Sequence, residues 1–113
     1  MALRLVTREL ESRLQPTGAE DATEAAGKVE RKTYSDGSER LKIVLRGLAS
    51  FEGSTAVVSH GENTLAEVVI VGGKGRWDRK SQAPGVVPVL FEEAPVEVRI
   101  EGLVVARGRV EHD

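Results

Sequence analysis

The chain has 113 residues, 40% apolar and 30% charged, with a formal net charge of −2 and no cysteine. This length makes a single domain, residues 1–113, able to bury one core unaided, and the missing cysteine excludes disulfides, thiolate nucleophiles and Cys-based metal sites. Acidic and basic residues are interleaved rather than segregated, which argues against a nucleic-acid binder, and no apolar run nears the ~20 residues of a membrane span.

Valine and twelve glycines favour strands joined by tight turns over a helical bundle. At the start, Met1-Ala2-Leu3-Arg4-Leu5 is followed by Arg8, Glu9 and Glu11, so no uninterrupted apolar signal segment is visible. A full-length chain would be cytoplasmic, and export after removal of a signal stays open. Leu3, Val6, Leu10 and Leu14 fit one helical stripe, with Glu9 and Arg13 paired at i,i+4 and Pro16 as a stop. Val6, Leu10 and Leu14 with Ser12 equally fit a long strand that switches face near Leu5, which is the favoured reading. Asp21, Glu24 and Gly27 suggest a short capped helical turn near 21–26.

Asp36-Gly37 marks a hairpin between Lys28–Tyr34 and Glu39–Arg46. A two-residue loop would set Ile43 opposite Glu30 and Leu41 opposite Lys32, a poor match. A bulged three-residue loop, Asp36-Gly37-Ser38, sets Val29 opposite Leu45 and is preferred, although Arg31 then faces Ile43. Thr55–Ser59 and Thr64–Val71 flank a turn at His60-Gly61-Glu62-Asn63. Gly72-Gly73-Lys74-Gly75 then leads into a short strand around Arg76-Trp77-Asp78. Between Lys80 and Pro95 lie three prolines, and Val86-Val87-Pro88-Val89-Leu90 suggests an extended segment crossing an edge or one end of the fold. Val96-Glu97-Val98-Arg99-Ile100 alternates with period two, Glu101-Gly102 turns, and Leu103–Arg107 returns with Leu103 opposite Ile100 and Val105 opposite Val98. Val104, Ala106 and Val110 point the other way, so this strand should be covered on both faces. The expectation is an all-β antiparallel sandwich or flattened barrel of seven to eight strands.

The order Leu10-Glu11-Ser12-Arg13-Leu14, Pro16-Thr17-Gly18, Ala26-Gly27-Lys28-Val29, an Asp-Gly hairpin and Leu41–Leu48 resembles the opening of small bacterial β domains of the CHRD type. The ending, with Gly73-Lys74-Gly75, Val87-Pro88, Val96-Glu97-Val98-Arg99 and Gly108, is similar to uncharacterised bacterial relatives. The aromatic and His-containing stretches of CHRD domains proper are absent. The resemblance implies a compact β fold and assigns no catalytic residues.

Lys74, Arg76, Trp77, Arg79 and Lys80 form a basic-aromatic cluster around Asp78. Trp77 could stack on a sugar or base while the cations meet an anion; the plainer reading is an inward-packed tryptophan flanked by solvated charge. His60, near Glu62 and Asn63, and His112 have metal-type side chains, but no spacing brings them together, and solvated turn and tail histidines are the simpler reading. Gly72-Gly73-Lys74-Gly75 lacks the helix that a phosphate-binding loop requires. Glu92-Glu93 and Glu20-Asp21-Glu24 show no facing pair across a cleft, and no Gly-x-Ser-x-Gly elbow accompanies the serines. The sequence therefore points to a structural or protein-interaction module without enzymatic activity or cofactor. Leu103–Ala106 and Val86–Phe91 hold more apolar surface than one small sheet face hides, which suggests a homodimer or another protein partner, with no role for nucleic acid or membrane. The alternative is carbohydrate or small-ligand binding at Arg76, Trp77, Arg79 and Lys80. An enzyme would require two of His60, Glu62, Trp77 and Asp78 in one pocket.

Overall fold

A computed structural model describes residues 5–82, 87–92 and 94–112; Leu3, Val86 and Glu93, used above, lie outside them. Eight strands form one antiparallel sheet: β1 (Val6–Pro16), β2 (Ala26–Tyr34), β3 (Glu39–Arg46), β4 (Thr55–His60), β5 (Asn63–Val69), β6 (Gly75–Ser81), β7 (Pro95–Ile100) and β8 (Leu103–His112). Their order is β5-β4-β7-β8-β1-β2-β3-β6. The sheet curls into a nearly closed barrel, so the expected all-β antiparallel architecture is correct. The helical alternative for the N-terminus is replaced by the eleven-residue β1. Glu9, Arg13 and Gln15 face outward on it, while Leu10, Ser12 and Leu14 are buried inward.

The inner layer is built by period-two alternation. Leu41, Ile43 and Leu45 on β3, Ala56 and Val58 on β4, and Val96, Val98 and Ile100 on β7 are all at most 1% exposed. Two hairpins differ in register from expectation. In the β2–β3 hairpin, Tyr34 donates its N–H to the Ser38 carbonyl (2.9 Å), and Gly37 donates to Tyr34 (3.0 Å). The three-residue loop is thus Ser35-Asp36-Gly37, one residue earlier, with Gly37 at φ +84. Asp36 Oδ1 accepts from the Ser38 amide at 2.9 Å and pins this turn. Val29 therefore opposes Ile43, not Leu45, and Arg31 opposes Leu41.

The C-terminal hairpin turns at Glu101-Gly102, with φ +54 and +81 as a type I′ turn demands, and Ile100 opposes Leu103. The ladder then steps from Arg99↔Val104 to Val98↔Ala106. Val105 is the extra residue of a bulge and Ala106 takes the place expected for it. Val105, Ala106 and Val110 are all buried, while Leu103 is exposed. Near 21–26 the chain makes two successive turns, closed by Ala22 N–H to Ala19 O and Ala25 N–H to Ala22 O (both 3.1 Å), instead of a helical turn. Asp21 at φ +64 is incompatible with a helix there. A 3₁₀ turn occurs instead at Ala49–Phe51, where Phe51 is buried.

β8 joins the two halves of the sheet, pairing with β7 on one side and β1 on the other. A Cβ on Gly108 would collide with the Arg13 carbonyl and with Ser12 Oγ, so this approach of β8 to β1 needs glycine. Gly108→Val is expected to lower unfolding stability by about 2 kcal/mol or more, read by chemical denaturation followed by far-ultraviolet circular dichroism; an unchanged midpoint would show that the joint tolerates a side chain.

Candidate functional site

Three regions of the barrel carry polar or exposed apolar groups that the core does not explain. At one end, a strap formed by residues 87–92 crosses the mouth. Val87 and Leu90 are buried beneath it, while Pro88 O accepts from Arg31 Nε on β2 (2.8 Å) and the Phe91 N–H donates to His60 Nε2 on β4 (3.0 Å). Since β2 and β4 stand on opposite sides of β7, β8 and β1, these two bonds span the opening. This matches the segment expected to cross one end of the fold.

His60 differs from expectation. The β4–β5 loop is only Gly61-Glu62, with His60 paired to Asn63, so His60 keeps the inward position that follows Ala56 and Val58 and is 3% exposed. Its ring stacks on Phe91 at 5.8 Å. With Nε2 accepting, the proton resides on Nδ1, which has no partner. His112 is exposed on β8 opposite Leu10. Glu62 occupies the exposed loop, and Trp77 and Asp78 point to opposite sides of β6.

Arg31 and Glu39 form a buried salt bridge at this same end, with side chains 9% and 8% exposed. Arg31 also donates to Thr33 Oγ1 (3.2 Å). The sequence made Arg31 look like a misfit on an apolar face, and nothing in its spacing announced Glu39 as its counter-charge. Removing one member strands the other charge in the interior, which costs about 3–5 kcal/mol, whereas replacing both by apolar groups is far milder. Arg31→Leu is thus expected to unfold at markedly lower denaturant than the double variant Arg31→Leu/Glu39→Leu; equal losses would show that the pair is not the burden.

The outer face of β1 and β2 is an ion ladder. Lys28 Nζ lies 2.9 Å from both Glu11 Oε2 and Glu30 Oε2, and Lys32 Nζ is 3.2 Å from Glu30 Oε1. Glu9, Glu11 and Glu30 are, among the described residues, the one group of three metal-type side chains whose ligand atoms come within 4.8 Å. Lys28 and Lys32 already neutralise them, so this geometry is that of a salt-bridge network. The hydrogen bond from Lys28 holds the Glu11 carboxyl below its usual range and pushes the Lys28 ammonium up. Arg107 likewise holds the Glu97 carboxyl below its usual range, with Nε–Oε2 at 2.8 Å, and Arg40 holds the Asp78 carboxyl down, at 2.9 and 2.5 Å.

Depressed carboxyl values in the folded state mean stability that is complete above the unfolded values and lost as pH falls through the folded ones. The melting temperature should therefore hold steady down to about pH 5 and fall progressively below about pH 4. Differential scanning calorimetry across that range checks it, and a flat profile would refute the linkage.

The basic-aromatic cluster resides on β6. Trp77 opposes Ile43 and Arg79 opposes Leu41, so both take the core-facing side, where Trp77 is half-buried against the core. Arg76 and Lys80 take the outer side with Asp78, which Arg40 binds. The strand brings the four residues onto one edge but splits them between two faces. The Gly72 and Gly73 amides donate to Glu52, at 2.9 Å to Oε2 and 3.0 Å to Oε1; they hold its carboxyl below the ordinary range.

The third region is the seam between β5 and β6, the two ends of the sheet. Beyond β5, Val71 and Lys74 form an isolated bridge, and Gly75 packs against Val68 and Ile70. Farther along, β5 and β6 are not ladder partners. Beside the joint lies a shallow groove of about 590 Å³ lined by Val44, Val69, Val71, Arg46, Lys74 and Arg76, among others. Val69 and Val71 are 56% and 69% exposed. The sequence concealed this groove, because Val69 and Val71 look like ordinary strand residues until the barrel is seen to stop short of closure.

No protein-family model matches the chain, and no curated protein shows detectable similarity to it. Among the described residues, no helix is long and apolar enough to cross a membrane.

Proposed function

We propose that this chain is a non-catalytic protein-interaction domain that receives its partner along the open seam between β5 and β6. The observation that carries the reading is the pair of strand edges lacking ladder partners beside an apolar groove. A free edge offers its N–H and C=O groups to an added strand, and adjacent pockets read the side chains of that strand. Val44, Val69 and Val71 supply the apolar surface that such an added strand would cover. The resemblance to CHRD-type domains agrees with this reading in implying a compact β fold without catalytic residues.

Self-association as a dimer is the second reading. Part of the C-terminal apolar surface that prompted it, Val87, Leu90, Val105 and Ala106, is buried within one chain. Leu103, Val89 and Phe91 stay exposed and support what remains of it. Ligand binding at Trp77 is less favoured because most of the residue's surface is covered where it packs on the core and its neighbouring cations diverge.

Selection of displayed peptides against the immobilised chain tests the seam reading. Selected sequences should bind the Val69→Asp/Val71→Asp variant at least about tenfold more weakly, a loss of ~1.4 kcal/mol, with the variant retaining its circular dichroism. Failure to enrich any sequence, or equal binding to the variant, would count against it.

A further inference from the structure

We infer that the segment this seam receives is an acidic extended strand bearing alternate aliphatic side chains. The inference rests on the seam reading and adds the chemistry of the partner.

The groove's apolar floor, Val44, Val69 and Val71, is ringed by Arg46, Lys74 and Arg76. Elsewhere on the outer face Lys28 is matched by Glu11 and Glu30, Arg40 by Asp78 and Arg107 by Glu97, while Lys42, Lys80 and Arg109 have no salt bridge among the described residues but do not line the groove. At the groove, no salt bridge to Arg46, Lys74 or Arg76 occurs among the described residues. Glu52, the carboxylate at the β5–β6 turn, is turned onto the Gly72 and Gly73 amides. Three cations without a salt bridge among the described residues thus surround exposed valines, Arg76 keeping only a Coulomb interaction with Asp78, in a chain whose overall charge is −2.

A strand whose side chains alternate meets both requirements, since one face supplies carboxylates and the other aliphatic contact. A second copy fits poorly. Twofold docking of the groove on itself sets the same three cations against their equivalents, and an antiparallel pairing of two β6 edges centred on Asp78 sets Arg76 against Lys80. An anionic lipid surface would match the charge but offers no backbone groups to the free strand edges.

The test titrates short peptides, alternating valine with glutamate, threonine or lysine, into the ¹⁵N-labelled full chain. The glutamate peptide should shift β5 and β6 amides and bind at least about tenfold tighter than the other two. Its affinity should fall about tenfold in Arg46→Glu/Lys74→Glu/Arg76→Glu, and also with added salt. That variant must keep its circular dichroism, and single reversals serve if the triple one does not fold. Equal binding of all three peptides at the seam overturns the charge inference while leaving the docking seam intact. No peptide at the seam overturns both. A dimer in sedimentation that is abolished by the same reversals, or anionic vesicles bound through these cations with no peptide binding, assigns the surface to another occupant and overturns the inference.

Discussion

The barrel depends on β8 lying between strands from opposite ends of the chain. β7 reaches it through a two-residue turn, a local and easily formed contact. β1 reaches it across nearly the whole length of the chain, since Ser12 pairs with Val110 and Gln15 with Arg107. The two sub-sheets, β5-β4-β7-β8 and β1-β2-β3-β6, each combine hairpins with one crossover pairing, β4–β7 and β3–β6, and the β1–β8 ladder, of the longest sequence separation, makes them a single sheet. Gly108 sits where the backbones approach most closely. The bulge at Val105 bends the same strand, letting it serve both halves.

Once the sheet curls, its ends must be closed, and the two mouths are closed by different chemistry. At one, Ala22, Ala25, Leu48 and Phe51 fill the opening with small and aromatic side chains. At the other, the 87–92 strap is tied by polar bonds to Arg31 and His60. Those two residues have parallel roles: each is a buried polar group whose bond to the strap backbone satisfies a main-chain group shielded from water. Arg31 requires Glu39 for charge balance, which is why the first inward position of β3's row is acidic.

Period-two alternation made the strands legible, most clearly in Val96–Ile100 and Leu41–Leu45, because one buried face writes itself into the sequence. Registers were less legible. The Asp36 side chain, not the apolar match, decides where the first hairpin turns, and a bulge leaves no composition signal at Val105. His60 appeared to belong to a turn because Gly61 and Glu62 beside it are polar; only the two-residue loop length, invisible in one sequence, returns it to the strand. The basic cluster was legible as composition, but alternation on β6 distributes it over two faces. The groove was not legible at all, being made by Val44 on β3 and Val69 and Val71 near the end of β5, distant in sequence and adjacent only because the barrel curls.

The seam is a consequence of that same curl. β5 and β6 follow one another along the chain, so closure at the Val71–Lys74 turn comes without effort, yet β6 is committed to β3 along its whole length and β5 to β4. Each strand has one edge satisfied and one facing its sequence neighbour. Full closure would require those edges to align beyond the Val71–Lys74 bridge. Cationic side chains on an unpaired edge are a common defence against pairing with like edges. Arg76 and Lys80 on β6 have that effect, repelling a second copy of the same strand. The repulsion is selective, however, because a strand of opposite charge experiences it as attraction. On the proposed reading, a charge pattern that disfavours like edges therefore also defines which foreign segment the seam would admit.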